Sequence, residues 1–182
     1  MADWTDVILA PFGVSYFNSY CGIHSVGAAM GSLGTPASTA YPAISRAIFI
    51  PFRLIAPTRI TQLWLYNGAT VSGNLDLGIY DAGGVSLGSI GSTAQAGVSV
   101  MQIVSLAAAI RLGVGLFYTA ISIDNTTATV YQGGLAAALG IARSKIVGMA
   151  QQASVFPLPA TATFATITST YLPVIGFISE EG

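Results

Sequence analysis

From about residue 47 onward, turn signals divide the chain into short apolar segments, and this spacing limits the fold more than any other feature. Asn67-Gly68 and the stretch from Asp81 to Gly84 supply residues that tolerate a positive φ. Short strands between closely spaced turns are typical of an antiparallel sandwich or barrel. The predicted turn residues are Asn67, Gly68, Asp81, Gly83, Gly84, Asp124 and Asn125.

The strands themselves are predicted from alternation. Leu75, Leu77 and Ile79 point to one face of a strand, whereas the residues between them point to the other. The predicted strands span 48–54, 60–66, 74–80, 85–89, 98–105, 116–123, 127–131, 163–168 and 173–179. The sequence also predicts one short helix at 135–144, weakened by Gly140. The proline-containing run 147–163 is predicted to be a crossover loop.

Residues 1–46 differ from the rest of the chain. They are rich in Gly, Ala, Ser, Tyr and Pro and show no sustained helical or alternating pattern. We expect an extended N-terminal arm over 1–46, followed by a β-sandwich domain over 47–182. The arm could fold back on its own domain, or its apolar side chains could anchor it to a neighbouring molecule. The expected anchors are Trp4, Ile8, Phe12, Tyr16, Phe17 and Tyr20.

Charge is scarce throughout the chain. It has six Lys and Arg and seven Asp and Glu in 182 residues, whereas about a quarter of the residues in an average soluble domain are charged. A compact monomer of this size exposes roughly 8,000 Å², which leaves about one charge per 600 Å² of surface. Apolar patches on monomers are rarely larger than that. The composition therefore favours a component of an assembly, covered in part by other protein.

A membrane span is not expected, although the mean hydropathy is +0.69. The best candidate, Val104–Ile123, has Arg111 near its centre and glycines at 113 and 115. A central Arg disfavours insertion by about 2.5–3.5 kcal/mol. These residues fit a turn between two strands better. Asp3 and Asp6 stand where a secretory signal would carry positive charge, so we expect no such signal.

No enzyme chemistry is predicted. The chain has one cysteine and one histidine, which exclude a disulfide framework and cannot complete a zinc site. Asp76, Asp81 and Asp124 are the only acids between residues 7 and 179, and their spacing does not match a calcium loop. We expect no metal and no cofactor. The net charge of −1 leaves no basic stripe, so nucleic acid is not an expected partner.

Trp64 and Tyr66 are the strongest candidates for an exposed contact. If Leu63 and Leu65 face the core, the two aromatic side chains share the opposite face of the same strand. Exposed aromatics on a strand mark a protein interface or a platform for sugar stacking. The alternative is a strand covered on both faces by its own chain.

Two segments together resemble a module found in tailed bacteriophages. They are the stretch from Asn74 to Asp81 with Gly83-Gly84, and the turn Asp124-Asn125-Thr126-Thr127-Ala128. They resemble the jelly-roll-like β-sandwich of capsid decoration, head-fibre and tail-fibre proteins, over about residues 60–131. The resemblance implies an all-β, jelly-roll-like antiparallel sandwich and a structural role in a virion.

The first functional hypothesis is a capsid decoration or cement protein. It would form a homo-oligomer, expected to be a trimer, and bind the major capsid protein on the capsid surface after synthesis in the host cytoplasm. The second is a receptor-binding tail-fibre or adhesin domain that binds cell-surface glycan through Trp64 and Tyr66. The third is a small membrane-associated protein.

Overall fold

The computed structural model describes residues 17–20, 23–27, 37–133, 144–145 and 148–180, with 17–20, 23–27 and 180 described by their backbone alone. These residues form fourteen strands, numbered here in chain order. The first seven are β1 Phe17–Tyr20, β2 Ile23–Gly27, β3 Ala37–Ala40, β4 Ala47–Leu54, β5 Thr58–Tyr66, β6 Asn74–Asp81 and β7 Ser86–Ser89. The others are β8 Thr93–Ala94, β9 Met101–Leu112, β10 Gly115–Ile123, β11 Thr129–Gln132, β12 Ala150–Gln152, β13 Ala165–Thr166 and β14 Val174–Glu180.

The strands form two large sheets and one small one. The first sheet has the order β1-β2-β14-β5-β9. The second has the order β13-β12-β4-β10-β6-β7, with β8 also paired to β6, and β3 pairs with β11 in the third. Every ladder between named strands is antiparallel. The prediction of an all-β antiparallel sandwich is confirmed.

The core lies between the two large sheets, and strand alternation selects its members. On β6, the predicted inward side chains Leu75, Leu77 and Ile79 are all in this core. Alternate residues of β4 and β10 join them from the second sheet, and Ile60, Leu63, Leu65, Ile175 and Phe177 come from the first. The rings of Phe52 and Phe177 meet across the sandwich, with centroids 5.1 Å apart.

The second sheet is also covered on its outer face. The chain between β12 and β13 crosses this face, and a second apolar cluster forms beneath it. Phe49 packs edge-to-face on Tyr80 and on Phe164, with centroids 5.3 and 5.0 Å apart. The predicted crossover loop at 147–163 is therefore the third layer of the molecule, and it also contains β12.

The segment predicted as an arm contributes strands to the sheets. β1 and β2 pair with each other, and β2 pairs with β14, so both belong to the first sheet. β3 pairs with β11. Local alternation did not indicate these strands, and the partners that hold β2 and β3 lie far away in the chain.

Two other predictions concern helices. All of the predicted helix at 135–144 except Ser144 lies outside the described residues. In the ranges that the structure describes, there is no helix with the length and apolarity needed to span a bilayer. The candidate span at 104–123 instead forms most of β9 and β10, two strands of different sheets that Gly113 and Val114 connect.

Candidate interaction surface

The expected arm anchors are only partly described. Trp4, Ile8, Phe12 and Tyr16 lie outside the described residues. Phe17 and Tyr20 are the first and last residues of β1. β1 lies at one edge of the first sheet.

The prediction that Trp64 is exposed is wrong. Its side chain is only 3% exposed, and its strand β5 is an interior strand of the first sheet, between β14 and β9. Its cross-strand neighbours are Gly176, which has no side chain, and Ile103. Tyr66 is half-buried, and its ring packs edge-to-face on Tyr131 at 5.0 Å. Strand alternation gave the correct face for Trp64, but not what covers that face.

The exposed apolar surface of the first sheet lies at its β9 edge instead. Val98 and Val100 precede β9, and Met101 and Ile103 follow on its outward face. Their exposed fractions are 56%, 48%, 38% and 46% respectively. We call these four residues the β9 patch. Sequence alternation predicts a strand over 98–105, but it does not show that this strand is at the edge of a sheet.

The backbone of β9 has a free side next to this patch. The Asn67 amide donates to the Val100 carbonyl at 2.9 Å, which makes these two residues a hydrogen-bonded pair. Bonded and non-bonded pairs alternate along an antiparallel ladder. Met101, Ile103 and Ser105 therefore direct their N–H and C=O groups away from β5. Among the described strands, β9 pairs only with β5.

The β9 patch lies in a long uncharged part of the described chain. No residue from 82 to 110 is charged, and Arg111 is the only charge on β9. Lys, Pro or inward-pointing charges usually protect an edge strand from pairing with another chain. The stretch from Met101 to Ser105 has none of these features. It is a neutral strand edge with an apolar outer face.

The predicted turn residues at 67 and 68 do not form a tight hairpin. β5 and β6 belong to different sheets, and residues 67–73 cross between them. Asn67 is fully buried and is the centre of a side-chain network. Its Nδ2 donates to the Ala96 carbonyl at 2.6 Å and to Gln102 Oε1 at 3.0 Å, and its Oδ1 accepts from Gln95 Nε2 at 2.9 Å. The network fixes the loop that leads into β9.

Gly68 lies in the same crossing and has close neighbours. A Cβ on this residue would come within 2.3 Å of Ser38 Oγ and 2.4 Å of Thr129 Oγ1. Both side chains bond the backbone that follows Gly68, at Ala69 and Thr70. Gly68 is therefore required because β3 and β11 lie close to its own backbone and leave no room for a side chain, and not because a hairpin needs its conformation.

Asp81, Gly83 and Gly84 do form the turn that joins β6 to β7. Asp81 Oδ1 accepts from the amides of Gly83 at 2.9 Å and Val85 at 2.8 Å. Gly84 has a φ of 86°, a conformation that favours glycine. These contacts give Asp81 a structural role in the turn.

Asp124 and Asn125 bind the start of β6. Asp124 Oδ1 accepts from the Asn74 amide and Oδ2 accepts from Asn74 Nδ2, both at 3.0 Å. Asn125 Oδ1 accepts from the amides of Thr127 and Ala128. Partial burial raises the pKa of Asp124, but the hydrogen bonds from Asn125 and Asn74 outweigh it and lower the pKa below its usual value.

Asp76, which the sequence analysis considered only as a possible cation ligand, is a buried carboxylate. It lies on the outer face of β6, beneath the crossover, and is fully buried. Oδ2 accepts from the Leu158 amide at 3.0 Å, whereas Oδ1 has no hydrogen-bond partner among the described residues. Burial raises the pKa of this carboxyl, and the Leu158 amide opposes the rise.

The described residues contain no cluster of three or more His, Cys, Asp or Glu side chains that could hold a metal ion. Asp76 and Asp81 have the separate structural roles given above. No protein-family model matches the chain, and no curated protein or solved structure is significantly similar to it.

Proposed function

We propose that this chain is a non-enzymatic structural protein of a bacteriophage virion. In this proposal it is a decoration or cement protein, present as a homo-oligomer, that binds the outside of the major capsid shell and stabilises it. The resemblance of residues 74–84 and 124–128 to phage sandwich modules supports the virion assignment. The observation that carries the assembly role is the β9 patch, which leaves apolar side chains and a neutral strand edge exposed on the same side.

The composition supports the same role. A protein covered by neighbours on a shell does not need charge over its whole surface, and the chain has only six cations and seven anions. No observation favours the adhesin alternative, because Trp64 is buried and is not available to stack on a sugar ring.

The direct test is binding to capsid shells. Shells would be assembled from the major capsid protein encoded near this gene, mixed with the purified chain and sedimented. We expect saturable co-sedimentation and a higher disruption temperature of the decorated shells. If the full chain does not bind these shells and instead binds host cells or a glycan array, the decoration role is wrong.

The arm can be tested separately. A variant that lacks residues 1–16 keeps β1, which begins at Phe17, so both sheets retain all their described strands. If the anchors reach the shell, this truncation weakens co-sedimentation and leaves the far-UV circular dichroism spectrum unchanged. Equal binding by the truncated and full chains would assign shell binding to the sandwich and remove the arm from the proposal.

A further inference from the structure

We propose that β9 is a self-pairing interface, and that its occupant is β9 of a second copy of this chain. The two strands would pair antiparallel about a twofold axis at Ile103, joining two five-stranded sheets into one of ten strands. This inference does not depend on a capsid shell, because it concerns contact between copies.

The arrangement of free backbone groups leads to this register. Met101, Ile103 and Ser105 direct their N–H and C=O groups away from β5. When Ile103 lies opposite its own copy, Met101 lies opposite Ser105 of the second copy. Each of the three residues then donates and accepts one backbone hydrogen bond across the axis. Within this segment, the free edge is complementary to itself.

The side chains agree with the backbone. In this register, Ile103 meets Ile103 on the outer face, with Met101 of each copy on either side. Both side chains are now exposed, and pairing removes apolar surface from water. A strand edge blocked by lysine would oppose its own copy by like-charge repulsion. This edge has no charge from 82 to 110, so no such repulsion arises.

Symmetry favours a second copy over a foreign strand. An isologous pair closes on itself and leaves neither β9 edge free, whereas pairing of β9 with the opposite edge of another copy would continue into a filament.

The four-residue stretch 106–109 faces a single residue of β5, Thr61, and so bulges. This bulge ends the regular edge after Ser105 and limits the pairing to 101–105. Because the contact is short, we expect a reversible dimer with a dissociation constant in the micromolar range.

The first experiment measures the mass of the full chain by sedimentation velocity over a wide range of concentrations. We expect a monomer–dimer equilibrium for the wild type. Ile103→Lys places two ammonium groups face to face at the axis and should weaken dimerisation by at least about tenfold. Val114→Lys is the matched control, since Val114 is also exposed but lies at the opposite end of β9. It should dimerise like the wild type.

The second experiment measures the register. Spin labels at Ser105→Cys, in a Cys21→Ser background, should be about 15 Å apart between copies, since four residues along the strand separate the two sites. Thermal melts and circular dichroism establish that each variant is folded. The proposal is overturned if the wild type stays monomeric, forms a trimer or filament, or shows a clearly different label distance. It is also overturned if Ile103→Lys dimerises as well as Val114→Lys.

Discussion

Asp76 and Asp124 show how the same carboxylate behaves in two different surroundings. Asp124 is half-buried beside the start of β6, and its two oxygens accept hydrogen bonds from three donors: the Asn74 amide, Asn74 Nδ2 and Asn125 Nδ2. Asp76 is fully buried and accepts one amide. The folded chain therefore stabilises the Asp124 anion and destabilises the Asp76 anion, each relative to the unfolded chain.

The Asp76→Asn substitution should stabilise the protein at neutral pH. Burial raises the folded-state pKa of Asp76, so its proton is held more tightly in the folded chain than in the unfolded chain, where the pKa is about 3.9. The contribution of Asp76 to the stability of the wild type is then greatest below about pH 4 and falls as the pH rises through the folded-state pKa. Asn cannot ionise, so urea denaturation should give a gain of about 1 kcal/mol at pH 7.

Asp124→Asn is the control, because it should change the free energy of unfolding in the opposite direction. Its pKa is lowered, so the anion stabilises the folded chain above about pH 4, and this contribution is lost as the pH falls through the lower folded-state pKa. The variant should lose less than about 1 kcal/mol at pH 7, because solvent screens this partly exposed carboxylate, and it should approach the wild type in acid. Equal pH dependence of the two variants would contradict both assignments.

At the level of single residues, sequence identified the turn at Asp81 but not the role of Asn67. The Asp81 contacts span four residues and are local, so they can be read from the chain. The partners of Asn67 are 28 to 35 residues away. The local sequence of an Asn-Gly pair is the same whether the pair forms a hairpin turn or is buried in a crossing between sheets, so the sequence cannot distinguish the two. Trp64 is similar, since alternation gives its face but not what covers that face.

At the level of elements, the crossover between β12 and β13 is attached to the second sheet by polar contacts as well as by apolar packing. Tyr80 donates its hydroxyl to the Pro159 carbonyl at 2.6 Å, and Ser122 donates to the Val155 carbonyl at 2.7 Å. The backbone of Ser86 and Ala162 adds bonds at the β7 end. The crossover therefore behaves as part of the sandwich.

Tyr80→Phe should loosen the crossover without unfolding the sheets. The substitution keeps the ring against Phe49 and removes only the bond to Pro159. We expect faster amide hydrogen exchange at Leu158 and Ala162, with exchange in β4 and β10 unchanged. Tyr118→Phe is the matched control, because Tyr118 packs on Phe164 in the same cluster and has no hydroxyl bond to the crossover. Faster exchange in both variants alike would contradict a specific role for the Tyr80 hydroxyl.

The sequence predicted those strands that alternate between apolar and polar residues, or that lie between clear turn signals. Seven of the nine predicted strands correspond closely to observed strands; 98–105 corresponds to the first part of β9, and 163–168 contains only the two-residue strand β13. β1, β2, β3, β8 and β12 were missed. All five are short, and β2, β3 and β12 are held by partners that are distant in sequence. Local propensity and alternation carry little information about such pairings.

At the scale of the whole molecule, the scarcity of charged residues determines how self-association should depend on salt. Contacts at the β9 patch are apolar and backbone-mediated, and no charge lies between 82 and 110. Self-association should therefore change by less than about threefold when sodium chloride rises from about 0.05 to 0.5 M, because there is little charge to screen. Ammonium sulfate should strengthen it. Sedimentation equilibrium measures both, and strong weakening by sodium chloride would indicate a charged interface elsewhere.

The position of β14 has a consequence for synthesis. β14 is the strand that joins β2 to β5, and Gly27 is aligned with Val174 across this ladder. Until residues 174–180 have left the ribosome, β2 and β5 have no strand between them, and the first sheet remains in two separate parts. Long-range pairing of this kind folds slowly and leaves strand edges open in the meantime. Apolar segments of the nascent chain therefore stay exposed until β14 has emerged, which makes this chain a natural client for a ribosome-associated chaperone.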